Sequence, residues 1–330
     1  MIFVRAPFRI PLGGGGTDLP SYYSRFGGYL ISAAISRYMF VTVNRPIVDK
    51  LIRVKYTQTE ILSDVKKIKH DLVRESLLLT GIKDSIEINS VADLPAGAGM
   101  GSSGSYLVAV LKALHTLKNE HVGTHQLAEE ACKIEIDKLK RPVGKQDQYI
   151  AAFGGVTRLR INKKGEVDVR QLEFEQSFIR DLESSLMIFY TGINREDRQL
   201  LKSQSKATTN NNKQVIENLH RIKSIGEDIE KALLKNDIAA LGWLMHEHWL
   251  TKRGLSSQIS SDRIDHLYEL GRRNGALGGK ILGAGGGGFM LFCCQNLDYR
   301  FRIREAMKKE GLTELFFHFD MEGAKVVANL

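Results

Sequence analysis

Apolar and polar positions alternate in two rhythms along this chain, and the rhythm changes several times. Apolar residues at three- and four-residue spacing predict helices over 71–80, 106–117 and 125–139. In the last of these, Leu127, Ala131, Ile134 and Leu139 fall on one stripe. β-Branched content with alternation predicts strands at 2–5, 39–44, 52–56 and 85–91. A hairpin-like pair, 156–161 and 167–172, turns about Lys163-Lys164-Gly165. A second half opens near 184 with a strand at 186–190. The polar segment 203–213, with its run Thr208-Thr209-Asn210-Asn211-Asn212, reads as a mobile loop or as a helix with a poor-propensity middle. Helices follow at 214–234, 237–252 and 262–274, then an apolar strand at 289–294, a helix at 299–309 and a closing strand at 315–320. Helices cluster in the middle and strands are dispersed, which points to α+β architecture rather than a regular βα repeat. No internal repeat or low-complexity linker interrupts the chain, so the two halves are expected to pack closely.

Length and composition allow this picture. The chain has 330 residues, of which 43% are hydrophobic, enough for two domains with sizeable cores. Its three cysteines, Cys132, Cys293 and Cys294, include no CxxC spacing, so neither a disulfide framework nor a zinc site is indicated. Cys293 and Cys294 sit in an apolar strand and read as buried small hydrophobes. The first ten residues lack the apolar run of a signal peptide, and no segment has the length of a membrane span; a cytoplasmic location is expected. The formal charge of +9 is scattered rather than gathered on one element, which suits a polyanionic small substrate as well as a nucleic acid. His246 and His248 are two apart on a predicted helix and face different ways, so they read as surface or packing residues rather than a metal pair. Trp243 and Trp249 are expected to be core or helix-packing aromatics.

Candidate chemistry lies in three glycine runs and one carboxylate segment. Asp93 to Ser105 holds four glycines and three serines between a predicted strand and a predicted helix. Such a loop leaves backbone N–H groups aimed one way at the positive end of a helix dipole, which is an anion cradle. Gly13-Gly14-Gly15-Gly16-Thr17-Asp18 follows the first strand, and Gly283-Ala284-Gly285-Gly286-Gly287-Gly288 precedes the strand at 289. Three such runs in one chain fit close approach of backbone to ligand better than turns alone. A Walker A loop is excluded because Gly279-Lys280 is followed by Ile281, with Asn274 where the first glycine belongs. A dinucleotide fingerprint through Gly99, Gly101 and Gly104 lacks the βαβαβ frame and the ribose-binding acid. In Gly144-Lys145-Gln146-Asp147-Gln148, Asp147 is a candidate base, with neighbouring Lys145 to hold its charge and orient it.

The order of these motifs resembles the GHMP kinase superfamily, named for galacto-, homoserine, mevalonate and phosphomevalonate kinases. Residues 6–18, APFRIPLGGGGTD, look like its first motif; residues 94–103, LPAGAGMGSS, match the second, PxxxGLGSS; residues 280–288 match the third; and residues 144–148 are similar to the GxxDQ segment. Within the superfamily, the start GGGGTDLPSYY and residues 244–254 look like D-glycero-D-manno-heptose 7-phosphate kinases. The resemblance implies an α+β fold in two domains, 1–180 like ribosomal protein S5 domain 2 and 181–330 ferredoxin-like. It also implies ATP-dependent phosphorylation of a sugar phosphate at its anomeric hydroxyl, with Mg²⁺. Pro95, Gly97, Ala98, Gly99, Met100, Gly101, Ser102 and Ser103 would hold ATP. Ser103, and less directly Ser102, would ligate the metal with Glu135, Asp137 being the alternative. Asp147 and Arg9 would be catalytic, Arg9 pairing with Asp147 and lowering charge on the transferred phosphoryl. Gly14, Gly15, Gly16, Thr17, Asp18, Gly285 and Gly286 would bind substrate. Gly15 and Gly16 stand where galactokinases carry Glu and His near the C6 end of the sugar, so space opens and a negative charge is removed there. Lys145, Arg195, Lys252 and Arg253 are candidates for a distal phosphate by charge. Neither nucleic acid nor a membrane is expected as partner, and a homodimer is allowed. Two rival classes are a non-catalytic nucleotide- or RNA-binding module, for which Asp147 and Glu135 are dispensable, and a nicotinamide oxidoreductase, which needs the excluded fingerprint. A fucose-type sugar-1-kinase is the alternative within the resemblance.

Overall fold

A computed structural model describes residues 1–95, 97–193 and 197–330. The first half contains β1 (Ile2–Gly13), α1 (Pro20–Phe26), β2 (Gly28–Asn44), β3 (Ile52–Lys55), β4 (Thr59–Leu62), α2 (Asp71–Thr80), β5 (Ile86–Ala92), α3 (Ser102–Leu117), α4 (Thr124–Cys132), α5 (Gln146–Phe153), β6 (Val156–Ile161) and β7 (Val167–Gln171). The second contains α6 (Gln176–Ser185), β8 (Leu186–Tyr190), α7 (Asp197–Thr209), α8 (Lys213–Leu234), α9 (Ile238–Arg253), α10 (Asp262–Arg273), β9 (Ala276–Ile281), β10 (Phe289–Cys294), α11 (Leu297–Lys309), β11 (Thr313–Leu315) and β12 (Lys325–Asn329).

Eight strands form one sheet in the order β12-β1-β2-β5-β3-β4, with β6 and β7 joined through β2. The 17-residue β2 pairs with β1 along one side and with β6 and then β5 along the other. Four strands, β11-β8-β10-β9, form the second sheet. This is the expected α+β arrangement, with helices laid on two sheets.

The first strand runs well past residue 5, where the expected strand ends, and continues through two prolines to Gly13. Proline cannot donate to a ladder and is tolerated in strands at edges and bulges. Both prolines of β1 sit at such places: its pairing with β2 shifts between Pro7 and Phe8 and again between Pro11 and Gly13. The shifts release backbone groups to partners outside the sheet. Pro7 O accepts from Ser105 Oγ at 2.7 Å, and Arg9 N donates to Met100 O at 3.0 Å. The prolines thus bring the second glycine loop and the start of α3 against β1.

Other boundaries also moved. The helix expected over 125–139 is α4 followed by a π-helical turn, Lys133–Lys138. The polar segment 203–213 is largely helical, as the last turns of α7 and the turn into α8. The closing strand expected at 315–320 is replaced by β11 and by β12, which returns to the first sheet beside β1. The division expected at residue 180 passes through α6. The halves pack closely: Ile225, Ile229 and Leu233 of α8 join Ile10, Leu12 and Tyr29 in one buried core. Trp249 is fully buried as expected, whereas Trp243 is more than half exposed, because α9 packs on only one side.

Candidate active site

The second glycine loop enters α3 through Gly101, whose φ of +85° places it at the helix N-cap. Arg9 secures the loop from β1: its Nη1 donates to Gly99 O at 2.7 Å while its backbone N–H holds Met100. Ser102 and Ser103 open α3 and are half-buried, so the N–H groups of the first turn stand at a helix start beside two hydroxyls. This arrangement can bind phosphate oxygens. Pro95, Gly97 and Ala98 lead into it.

Asp147 lies in the first turn of α5, across from this loop. Arg9 Nε donates to its Oδ1 at 2.8 Å and Nη2 approaches the same oxygen at 2.6 Å. Two glycines make the approach possible. A Cβ on Gly104 would lie 2.6 Å from Asp147 Cβ, and one on Gly101 would lie 3.3 Å from Asp147 Cγ. The lysine expected to support Asp147 does something else. Lys145 Nζ reaches Glu129 Oε1 at 2.8 Å and Gly165 O at 2.7 Å, and Glu129 also takes the Tyr149 hydroxyl. Residues two apart at a helix start point in different directions, so adjacency in sequence misled here.

Asp18 is buried and ties the first motif to the same helix start. Its Oδ1 accepts from Gly16 N at 3.0 Å and its Oδ2 from Gln146 N at 3.1 Å. Burial pushes its carboxyl up from the ordinary value, against the pull of the Gln146 and Gly16 N–H groups. Gly144 allows the contact, since a Cβ there would fall 1.9 Å from Asp18 Oδ2.

The other first-motif residues divide by role. Thr17 is fully buried, with its hydroxyl 2.8 Å from Gly14 O, 2.9 Å from Tyr29 O and 3.1 Å from Tyr29 N, so it staples the turn to β2. Gly14 abuts Tyr29 O and Gly226 of α8. Gly16 is covered by Gln204 of α7. Gly15 differs: a Cβ there would meet nothing within 4 Å. In the third run, Gly286 N donates to Ile259 O at 2.8 Å, a Cβ on Gly285 would meet Ile259, and Lys252 Nζ donates to Gly283 O.

Glu135 sits in the π-helical turn, 1% exposed. Its Oε1 accepts from Arg141 Nη1 at 3.1 Å and its Oε2 from Gln148 Nε2 at 2.8 Å. Arg141 in turn pairs with Asp71 at 2.8 Å. Gln148 Oε1 is buried without a hydrogen-bond partner. A carboxylate and an orphaned amide oxygen side by side are the hard donors that Mg²⁺ takes, so these residues fit that ion. Asp137 is exposed and lines a cavity of about 440 Å³ with Tyr23 and Lys145. Arg141 was not singled out from sequence, and Gln148, His248 and Lys280 entered there only as members of a motif or as packing residues, with no role of their own. Only Gln148 carried a signal, as the residue following Asp147.

Of the distal-phosphate candidates, Arg253 pairs with Asp265 at 2.7 Å and Lys145 is engaged as above, while Arg195 lies outside the described residues.

Comparison with known proteins gives the family. Residues 64–155 match the GHMP kinases N terminal domain and residues 229–312 match GHMP kinases C terminal. A D-glycero-alpha-D-manno-heptose 7-phosphate kinase from Campylobacter jejuni is 29% identical over 98% of each chain. A bifunctional fucokinase/GDP-fucose pyrophosphorylase from Arabidopsis thaliana is 24% identical over 93% of this chain, which spans 31% of that longer protein. The crystal structure of a D-glycero-D-manno-heptose 1-phosphate kinase from Bacteroides thetaiotaomicron superposes over 100% of both chains with a TM-score of 0.81 at 24% identity, a likeness of fold. With both of its domains matched along more than half its length, the chain belongs to the GHMP kinase family, as an ATP-dependent carbohydrate kinase.

Proposed function

We propose that this kinase phosphorylates the anomeric hydroxyl of a sugar phosphate, D-glycero-D-manno-heptose 7-phosphate being the acceptor that fits best. The observation that carries the choice of acceptor is the open space at Gly15 beside the buried Asp18. A sugar whose hydroxyl reaches Asp147 can extend past C6 there, and no carboxylate stands in that place to repel a phosphate. The heptose 7-phosphate kinase from Campylobacter jejuni supports the same reading.

In this reading the N–H groups at Gly97 to Ser103 hold the triphosphate. Asp147 orients the acceptor hydroxyl and takes its proton. Arg9, which already bridges Asp147 and Gly99 O, keeps the base against the loop and offsets charge on the phosphoryl group in flight. Asp18 receives a sugar hydroxyl. Glu135 and Ser103, with Gln148 Oε1, would hold Mg²⁺, which supplies neutralisation of the phosphate oxygens when bound. Residues 1–180 carry ATP and sugar, and residues 181–330 close the site from the other side.

A coupled ADP-release assay over D-glycero-D-manno-heptose 7-phosphate, mannose 6-phosphate, fucose and galactose tests this. The heptose phosphate is expected to give the highest kcat/KM. If fucose wins, the fucose-type reading replaces it, which the Arabidopsis fucokinase relative favours. Absence of turnover with every sugar would favour a non-catalytic nucleotide-binding module.

A further inference from the structure

One arginine grips Glu135 with both its backbone and its side chain. Lys140 takes a left-handed φ of +50°, unfavourable for a residue that carries a side chain, and the chain turns back there. The turn lets Arg141 N donate to Glu135 O at 3.0 Å and Arg141 Nη1 donate to Glu135 Oε1 at 3.1 Å.

The guanidinium is fixed in its turn from another element. Its Nη2 donates to both carboxylate oxygens of Asp71, each at 2.8 Å. Asp71 stands in the first turn of α2, where the helix dipole favours a carboxylate, and its Oδ1 also accepts from Leu72 N at 2.8 Å. A planar guanidinium can span two carboxylates at once, which the point charge of an ammonium on a flexible stem does not reproduce. Asp71 thus holds Arg141, and Arg141 holds Glu135.

The second oxygen of Glu135 has a different neighbour. Oε2 accepts from Gln148 Nε2 at 2.8 Å, and the other end of that amide, Oε1, is buried without a hydrogen-bond partner. A carboxylate oxygen has room for two partners, so Oε2 can keep the amide and still take a cation. A guanidinium free to move would compete with a metal for both oxygens of Glu135. Tied to Asp71, it is confined to Oε1.

We propose that Arg141 is a positioning residue for metal ligation: anchored by Asp71, it pins Glu135 through Oε1 and leaves Oε2 and Gln148 Oε1 to a divalent cation. This rests on the reading of Glu135 as a holder of Mg²⁺ given above.

The test follows the unfolding temperature of the whole chain with a non-hydrolysable ATP analogue as Mg²⁺ is added, and reads the Mg²⁺ concentration at half of the rise. Arg141→Gln removes the charge and the fork, and the midpoint should move up by about tenfold or more. Asp71→Asn, at a partly exposed position, should move it in the same direction. The double variant should shift no further than Arg141→Gln alone, because Asp71 acts only through Arg141. Arg141→Lys keeps the charge without the fork and should stay closer to Arg141→Gln than to the wild type. The Mg²⁺ concentration for half-maximal rate should rise in parallel. A merely structural arginine would lower the Mg²⁺-free unfolding temperature and leave the midpoint in place; that result, or full recovery by Arg141→Lys, would overturn the proposal. If Arg141→Gln does not fold, Asp71→Asn decides alone. Glu135→Gln separates the two failures. A midpoint that it leaves unmoved removes the metal reading and this proposal together. A midpoint moved by Glu135→Gln but by neither Arg141→Gln nor Asp71→Asn overturns the positioning alone.

Discussion

Asp147 owes its position to residues that have no side chains. Gly104 and Gly101 let α3 come close enough for Arg9 to bridge the carboxylate and the loop. Asp147→Asn keeps the volume and removes the charge; kcat should fall by about a hundredfold or more with the ATP KM little changed, measured by steady-state kinetics. Near-normal turnover would remove Asp147 from the role of base. Gly104→Ala should also lower kcat, by about tenfold or more, because the added carbon would overlap Asp147 and push the start of α5 away. The Arg9–Asp147 pair was legible in the sequence, since each residue lies in a contiguous motif. The partners of Glu135 were not: Arg141 lies 6 positions on and Gln148 13, Asp71, which also holds Arg141, is 70 positions from it, and no local pattern announces that buried cluster. Lys145 shows the opposite error, where a neighbour in sequence turned out to serve Glu129.

At the scale of elements, periodicity identified the long helices and failed where backbone geometry departs from it. The π-helical turn carries Glu135 inward with Leu139 N donating to Ile134 O at 2.9 Å, five residues back, and a 3.6-residue pattern does not foresee that extra residue. β9 reads Ala-Leu-Gly-Gly-Lys-Ile, and its two glycines hid the strand that ends the second sheet beside β10. If the π-helical turn serves to aim Glu135 at a metal, Glu135→Gln should raise the Mg²⁺ concentration giving half-maximal rate. An unchanged Mg²⁺ titration would place the ion on the nucleotide alone. The far end of α3 makes a separate prediction. His115 is gripped by Glu130 at 2.7 Å and Glu120 at 2.9 Å. The hydrogen bond to Glu130, ahead of the opposing effect of burial, raises its pKa above the ordinary 6.5. A raised histidine stabilises the fold fully below about 6.5 and ceases to do so as pH climbs through the raised value. Thermal unfolding should therefore show a larger loss between about pH 6 and about pH 9 in the wild type than in His115→Gln. Parallel slopes would mean that the clamp does not couple to folding.

Taken whole, the molecule is laced together across its sequence midpoint. β12 pairs with β1, Lys280 of the second half bonds Leu12 of the first, and α8 packs on β1 and β2. The lack of a low-complexity linker foretold two halves that pack closely, but not that the last strand would cross back, because 325–329 alternates weakly. Removing residues 324–330 should lower the unfolding temperature by several degrees and promote association, since it bares the edge of β1. Wild-type unfolding after that deletion would make β12 ornamental. The free thiols offer a different view of the same lacing. Cys132 is buried in the first half, and Cys293 and Cys294 within β10 of the second. Burial raises all three pKa values, that of Cys294 to about 11, so little thiolate exists near neutral pH. Each is therefore a silent clock: a thiol-reactive dye can mark it only when its own half breathes open. If the halves open as one unit, the three sites should be labelled at a common rate; if the lacing loosens one half first, Cys132 and the Cys293–Cys294 pair will tick at different speeds.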